Sequence, residues 1–244
     1  TFKHIESATA CAKRGCALFI EKPLGSSING LSKLLEIIKS KNIPTYVAYN
    51  LRFHPIIDYI KRITENNKLV YIRATCSSYL PLWRPDQDYK KSYSASLDLG
   101  GGVVLELSHE IDYIYYLLGR IDKVSGQFSQ LTDITVDSED YAEILIESDN
   151  TPRASIHINY ASHYKERKII ADFEGFTLNC DLISNSIIKY SKEELIEKKE
   201  FDIHQNYTYE KQLDYFFKYN SPTMMNNIFE ATSLFNKIID FKEN

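Results

Sequence analysis

Over the first fifty residues, short apolar runs alternate with longer segments in which apolar residues recur at helical spacing. The run Ala17-Leu18-Phe19-Ile20 is too short for a helix and is closed by Pro23, which cannot continue a hydrogen-bonded ladder, so it predicts a buried parallel strand. Residues 43–49 predict a second strand, while residues 6–14 and 31–38 predict helices. The order helix, strand, helix, strand is typical of a doubly wound α/β fold.

The pattern changes after residue 68, where β-branched and aromatic residues begin to alternate with polar ones. Strands are predicted at 70–76, 124–131, 141–147, 154–160, 168–173 and 176–180. Mainly short links join them, which favours a largely antiparallel sheet with one face covered by a helix. Residues 102–118 are the best cover, and residues 206–219 and 226–241 predict two late helices. We therefore expect the second part of the chain to be α+β.

Charge and cysteine content narrow the classes of partner. The chain has 29 basic and 33 acidic residues, with its lysines scattered, so nothing favours a nucleic-acid or membrane surface. Its four cysteines form no Cys-x-x-Cys pair and no His-Cys metal spacing, which favours a reducing cytoplasm and no structural metal. No apolar run approaches the ~20 residues that span a bilayer, and the start shows no secretory signal pattern.

The first candidate for chemistry is Lys22, which follows the predicted strand 17–20. In open α/β sheets, ligands bind at the carboxyl ends of the strands. A lysine there can have its pKa lowered by burial or by a nearby cation, and it can then exchange a proton with a substrate hydroxyl. The alternative is a surface ion pair without a chemical role.

A second candidate group lies in the helix predicted at 102–118, which begins at the glycine triplet Gly100-Gly101-Gly102. At about 100° per residue, Glu106, His109 and Tyr113 fall within roughly 60° of one another on the helix surface. We therefore expect these three polar side chains to project together. The alternative for His109 is a hydrogen-bonded histidine of the core.

Several blocks of residues occur in the order and spacing of a known family, namely Thr1-x-x-His4, Glu21-Lys22-Pro23, Asn50-x-Arg52-Phe53, and the run from Gly100 to Asp112 with its glycine triplet, acid, histidine and aspartate. In these blocks the chain resembles the glucose-fructose oxidoreductase and inositol 2-dehydrogenase family of NAD(P)-dependent sugar enzymes. The resemblance implies that residues 1–53 are the C-terminal half of a Rossmann-like doubly wound domain. It also implies that residues 54–244 are an α+β substrate and oligomerisation domain whose late helices pack back on the first part.

The resemblance further implies an NAD or NADP cofactor and a sugar or nucleotide-sugar substrate. Lys22 and His109 would then move the hydroxyl proton as hydride passes to the nicotinamide, and Glu106 would tune or position them. Contacts to the cofactor are expected from Thr1, His4, Glu21, Lys22, Pro23 and Arg52. Contacts to the substrate are expected from Trp83, Arg84, Asp112 and Tyr160.

Some of these roles have structural alternatives. Arg52 is as well suited to a salt bridge as to binding a cofactor or substrate oxygen. Trp83 and Arg84 could equally belong to a simply packed loop. Asp112 is better suited to orienting its neighbours than to chemistry. Glu106 stands where the family usually has an aspartate, and it precedes the histidine by three residues instead of the four of several members.

The sequence lacks the Gly-x-Gly-x-x-Gly turn that binds the cofactor pyrophosphate in this family. Its glycine cluster, Gly100-Gly101-Gly102, has the wrong spacing. We therefore expect an N-terminally truncated chain that binds NADH and NADPH weakly or not at all. Two functions follow as hypotheses: an oxidoreductase of sugars, or a non-catalytic remnant that keeps only the fold and an oligomer interface.

A homo-oligomer, at least a dimer, is expected in solution. In a complete doubly wound sheet the strand at 17–20 would have a further parallel neighbour, so its edge is open to pairing, and the family's substrate-domain sheet often forms face-to-face dimers. Size exclusion coupled to light scattering at low micromolar concentration tests this expectation. A single species near the chain mass of 28.3 kDa would show that it is wrong.

Overall fold

The structure is a computed structural model that describes residues 1–149 and 151–243. Its helices are α1 His4–Lys13, α2 Leu31–Lys41, α3 Pro55–Thr64, α4 Val103–Glu106, α5 His109–Leu118, α6 Tyr207–Tyr219 and α7 Ile228–Glu243. Its strands are β1 Leu18–Glu21, β2 Thr45–Ala48, β3 Leu69–Ser77, β4 Lys123–Ser129, β5 Tyr141–Ser148, β6 Thr151–Asn159, β7 Glu166–Phe173, β8 Phe176–Asp181, β9 Ser186–Ser191 and β10 Glu194–Glu200.

The first part of the chain contains a two-stranded parallel sheet of β1 and β2, in which Glu21 pairs with Ala48. The helix α1 packs on β1 and on α2. This arrangement confirms the α/β pattern expected from the sequence. Because the two strands run in the same direction, Lys22 and Tyr49, which follow them, emerge at the same edge of the sheet.

In the described part of the chain, β3 to β10 form one eight-stranded sheet in the order β10-β9-β8-β7-β3-β6-β5-β4. Neighbouring strands are antiparallel except β3 and β6, which are parallel. The expectation of a largely antiparallel sheet is confirmed. The sequence pattern did not predict β9 and β10, since β10 is exposed at nearly every residue and lacks the alternation of a half-buried strand.

The helix predicted at 102–118 is two helices in the structure, because a short turn separates α4 from α5. This break makes His109 the first residue of α5. Tyr113, one turn further on, has no exposed surface. The prediction that Glu106, His109 and Tyr113 share one face of a continuous helix is therefore wrong.

A distant glutamate determines where α4 begins. The main-chain carbonyl of Glu139 accepts a hydrogen bond from Val103 N at 2.9 Å, and its carboxylate accepts one from Val104 N at 3.3 Å. The same carboxylate accepts a hydrogen bond from Lys242 Nζ in α7 at 2.7 Å. Glu139 thus supplies acceptors to N–H groups that a helix start leaves unpaired.

The late helices lie against the first part of the chain. At the start of α7, Ile228 N donates to Thr45 Oγ1 at 2.9 Å, and in the preceding turn Asn226 O accepts from Val47 N at 3.0 Å. The helix α6 packs on the 3₁₀ turn Asn50–Phe53 that follows β2. The division of the chain at residue 53 stays a prediction.

Arg52, in that 3₁₀ turn, joins three segments through buried ion pairs. Its Nε and Nη2 donate to the two carboxylate oxygens of Asp112 in α5 at 2.9 and 2.7 Å, and its Nη1 donates to Glu230 Oε1 in α7 at 2.7 Å. The side chains of Arg52 and Asp112 are 0% and 1% exposed. Burial raises the pKa of Asp112 to about 6, although the guanidinium opposes this shift. Arg52 therefore serves as a salt-bridge partner, which was the alternative to a contact with a cofactor or substrate oxygen.

Replacing Arg52 with Met leaves the Asp112 carboxylate buried without its cation, and breaking a buried pair in this way costs about 3–5 kcal/mol. We expect the free energy of unfolding, measured with urea near neutral pH, to fall by that amount. The matched control is Arg62→Met, because Arg62 pairs with Asp58 on the exposed surface of α3, where ion pairs contribute at most about 1 kcal/mol. Equal losses in the two variants would contradict the prediction.

Candidate active site

Lys22 and Glu106 form an ion pair at the carboxyl end of β1. The Nζ of Lys22 donates to the main-chain carbonyl of Glu106 at 2.7 Å and to its Oε1 at 3.1 Å. The two side chains are 16% and 9% exposed, so the pair is largely shielded from water while the lysine keeps an open side. The contact joins the end of β1 to the end of α4, which brings two sequence-predicted site residues together.

The carboxylate of Glu106 is held by two further donors. The hydroxyl of Tyr93 donates to Oε1 at 3.1 Å, and the hydroxyl of Ser94 donates to Oε2 at 3.1 Å. Burial and then the negative charge of Glu106 raise the pKa of Tyr93 to about 12, so its hydroxyl keeps its proton and remains a donor. Neither Tyr93 nor Ser94 is among the residues for which the sequence predicts a role, because only the fold places them beside Glu106.

Close packing in this site requires glycine at two positions of the triplet Gly100-Gly101-Gly102. A Cβ on Gly101 would lie 2.5 Å from the carbonyl oxygen of Tyr93 and 2.7 Å from that of Ser94. Gly102 has φ +102°, and a Cβ there would lie 2.5 Å from Glu139 Oε1. Only a residue without a side chain allows these close approaches. The triplet therefore lets the loop that carries Tyr93 and Ser94 reach Glu106.

His109 begins α5 beside this cluster. Its Nδ1 is buried and finds no hydrogen-bond partner among the described residues, and its ring meets the ring of Tyr49 edge to face at 5.5 Å. Burial, followed by the charges of Lys22 and Arg167, lowers the pKa of His109 well below its usual 6.5. The imidazole is therefore neutral near pH 7.

A pocket of about 300 Å³ opens beside His109. Its lining includes Asn50, His54, Arg167, Asn185 and Thr208. Most of these side chains carry hydrogen-bond donors and acceptors, so the pocket suits a hydroxyl-rich ligand better than an apolar one. The sequence predicts no site role for these five residues, because they come from distant segments. Asn50 belongs to the Asn50-x-Arg52-Phe53 block, from which a role was expected only for Arg52.

The residues expected to contact a cofactor lie mainly around the end of β1. His4 Nδ1 donates to the carbonyl of Pro23 at 2.8 Å, and burial lowers the pKa of His4. Thr1 packs against Gly100. Glu21 is exposed at the last position of β1. These residues surround Lys22, which is the position that a ligand at the carboxyl edge of the sheet would approach.

Other sequence-predicted site residues lie elsewhere. Trp83 donates from Nε1 to Ser78 Oγ at 2.7 Å and meets the ring of Tyr160 edge to face at 5.3 Å. Tyr160 has no exposed surface, whereas Arg84 is exposed with its guanidinium over the Tyr93 ring. The positions of Trp83 and Arg84 thus agree with the alternative of a simply packed loop. Neither residue lines the pocket beside His109.

Three residues that were expected to contact a ligand, Arg52, Asp112 and Tyr160, are buried instead. A substrate contact from Tyr160 or Asp112, and a cofactor contact from Arg52, does not fit side chains that have almost no exposed surface. Arg52 and Asp112 instead use their polar atoms on each other. Their role in this structure is to position α5, which carries His109.

Three other kinds of functional feature are a metal-binding cluster, a reactive thiol and a membrane-spanning helix. Within residues 1–149 and 151–243, no group of three or more His, Cys, Asp or Glu residues could hold a metal ion. Burial raises the pKa of Cys76 and of Cys180 to about 12, which leaves both thiols protonated and poorly nucleophilic. Across the same residues, no helix combines the length and apolar character needed to cross a membrane.

His109 is expected to remain neutral well below pH 6.5 in the folded protein. Below that pH the unfolded chain binds a proton that the folded chain does not, so the free energy of unfolding falls as pH drops, by up to about 1.4 kcal/mol per pH unit. An NMR titration, with the His109 signal identified by its loss in His109→Gln, measures the pKa directly. The His109→Gln protein should also lose this part of the pH dependence. A measured pKa at or above 6.5 would refute the expectation.

Comparison with known sequences gives the family. A model described as the GFO/IDH/MocA C-terminal domain matches residues 57–178, which are half of the chain. Levoglucosan dehydrogenase of Pseudarthrobacter phenanthrenivorans is 29% identical over 128 residues, covering 52% of this chain and 33% of that protein. Myo-inositol 2-dehydrogenase of Thermotoga maritima is 28% identical over 138 residues, covering 54% and 38%. The match therefore spans little more than a third of these curated relatives.

Solved structures agree with the fold. A levoglucosan dehydrogenase in complex with NADH and levoglucosan superimposes with a TM-score of 0.86 at 18% identity, covering 99% of this chain and 75% of that one. A UDP-N-acetylglucosamine 3-dehydrogenase from Acidithiobacillus ferrooxidans gives 0.78 at 16% identity, covering 100% and 75%. At these identities the likeness shows the fold alone. The family match confirms the resemblance read from the sequence blocks, and the chain belongs to the GFO/IDH/MocA family.

Proposed function

We propose that this protein is an NAD(P)-dependent oxidoreductase that transfers hydride between a nicotinamide and a hydroxyl-bearing carbon of a sugar or nucleotide sugar. The observation that carries the proposal is the ion pair of Lys22 and Glu106 at the carboxyl end of β1, together with His109, which lies three residues after Glu106 and lines a polar pocket. Two relatives of the chain are named as dehydrogenases of levoglucosan and of myo-inositol, which supports a polyhydroxylated substrate.

Oxidation of an alcohol removes a proton from the hydroxyl oxygen and a hydride from the carbon. His109 is the proposed proton acceptor, because its neutral ring lines the polar pocket. Lys22 is proposed to donate a hydrogen bond to the reacting oxygen and so to stabilise the charge that develops there. Glu106 keeps the Lys22 ammonium in place through the ion pair.

The carboxyl end of β1 fits the nicotinamide end of the cofactor. Exposed Glu21 offers a carboxylate that can accept hydrogen bonds from ribose hydroxyls, and ligands bind at this edge of parallel sheets. Thr1, His4, Lys22 and Pro23 complete the proposed contact surface. NAD or NADP would supply the hydride acceptor.

The second hypothesis, a non-catalytic protein that keeps only its fold, gains no support from these residues. A purely structural role explains the pair of Lys22 and Glu106. It gives no reason for a histidine that is neutral near pH 7 to line a polar pocket on the same segment as Glu106. The proposed proton transfer uses both features.

Replacing Lys22 with Met in the full-length protein keeps much of the side-chain volume and removes the ammonium group. A donor that stabilises charge in the transition state contributes about 10²–10³-fold, so we expect kcat to fall by that factor. NADH formation with levoglucosan, myo-inositol and UDP-N-acetylglucosamine, under conditions where the chemical step limits turnover, provides the measurement. The control is Lys39→Met, which removes an exposed lysine of α2.

The Lys39→Met protein should keep the parent's kcat within about two-fold. A Lys22→Met protein that also keeps kcat within a few-fold of the parent would make Lys22 a structural residue. In that case the convergence around Glu106 would no longer support the proposed chemistry.

A further inference from the structure

The guanidinium of Arg167 lies in the pocket beside His109, and the proposed proton transfer does not use it. Arg167 belongs to β7, in the large sheet, and its side chain is 25% exposed. A positive charge at the wall of a small polar pocket needs either a water shell or an anionic partner. Which ligand the Arg167 guanidinium can bind depends on its ion-pair partner within the protein and on the other side chains that line the pocket.

Glu110, on the buried side of Arg167, fixes the orientation of its guanidinium through two hydrogen bonds. Nε of Arg167 donates to Glu110 Oε1 at 2.8 Å, and Nη2 donates to Oε2 at 3.3 Å. Glu110 has no exposed surface, so its carboxylate cannot meet a ligand in the pocket. The two hydrogen bonds use Nε and Nη2, and the guanidinium also bonds the buried Cys76 thiol, which together occupy three of its five N–H donors. The arginine is therefore held in one direction with donor capacity remaining for a ligand.

The rest of the pocket favours an acceptor-rich ligand. None of the described residues that line it is acidic. His54 Nδ1 accepts from Ile56 N at 3.2 Å, so the ring proton is on Nε2, which lies 3.1 Å from Asn185 Oδ1. Asn185 thus accepts from His54 through its oxygen, and its amide N–H groups remain available as donors.

We propose that the sugar bound in this pocket carries a carboxylate, and that Arg167 binds it. The proposal rests on the proposed function and narrows its substrate class to sugar acids. The volume of about 300 Å³ is at the low end for ligand pockets and suits a single sugar ring. Because Arg167 and His109 line the same pocket of single-sugar size, the carboxylate would lie on the same ring as the reacting hydroxyl.

Binding measurements test the proposal without hydride transfer. The probes are D-glucuronate, D-glucose and D-glucose 6-phosphate, titrated calorimetrically into the full-length protein with and without NADH. A hydrogen-bonded charge pair contributes enough for about ten- to hundredfold in affinity, so glucuronate should bind at least about tenfold more tightly than glucose.

Two variants locate the effect. The double variant Arg167→Met/Glu110→Leu removes both charges together, so that no buried carboxylate is left unpaired and the fold is kept. It should bind glucuronate and glucose equally. The matched control Arg73→Met removes an arginine from the same sheet, where Arg73 pairs with Asp172 on the exposed face, and should keep the parent's preference.

Equal binding of glucuronate and glucose by the parent would overturn the proposal, as would an unchanged preference in the double variant. A tenfold preference for glucose 6-phosphate over glucuronate would also overturn it, by making the ligand a phosphosugar. These results are independent of catalysis. A missing dehydrogenase activity would count against the proposed function, whereas a lost carboxylate preference would count only against this substrate class.

Discussion

The buried pair of Arg52 and Asp112 is the interaction on which the geometry of this molecule depends. Arg52 lies in the 3₁₀ turn that follows β2, Asp112 lies in the middle of α5, and the third partner, Glu230, belongs to α7. The pair therefore sets the distance and rotation of α5 relative to the small parallel sheet. Since α5 begins at His109 and β1 ends next to Lys22, the same constraint places the proposed proton acceptor and the proposed donor to the reacting oxygen.

Pairs of opposite charge recur along the segment of α4 and α5. Each acidic side chain there is held by a cation from a different part of the fold, and the pairs are Glu106 with Lys22, Glu110 with Arg167, and Asp112 with Arg52. In an uninterrupted helix, Glu106 and Glu110 would be four residues apart and would share one face. The turn between α4 and α5 allows the first to meet β1 and the second to meet β7, which lie on different sides of the segment.

These pairs also determine the electrostatics of the candidate site. A buried histidine between cations is easier to keep neutral, because both desolvation and neighbouring positive charge disfavour the imidazolium. The carboxylates that balance these cations are largely buried behind them, so the open surface of the pocket presents donors and a neutral base. The arrangement suits a ligand rich in oxygen acceptors, which is the chemistry proposed for the substrate.

Local sequence patterns were sufficient for the elements with strong periodicity and for the place of Lys22 directly after β1. Apolar spacing gave the parallel strands and most of the large sheet, since burial of one face imposes its period on the residues themselves. The patterns were insufficient for β10, whose charged and exposed residues carry no period. They also predicted one helix where there are two.

The tertiary structure alone decided the features that depend on contacts between distant residues. The start of α4 is set by Glu139, and the need for Gly101 comes from the backbone around Tyr93, neither of which is visible in the local pattern. The place of Arg167 beside His109 exists only because β7 pairs with β3 under α5. Sequence by itself determined which segments form helices and strands and which residues carry groups capable of acid-base chemistry. Packing between remote segments decided which of those residues meet, because charge pairing and close contact depend on distance in space.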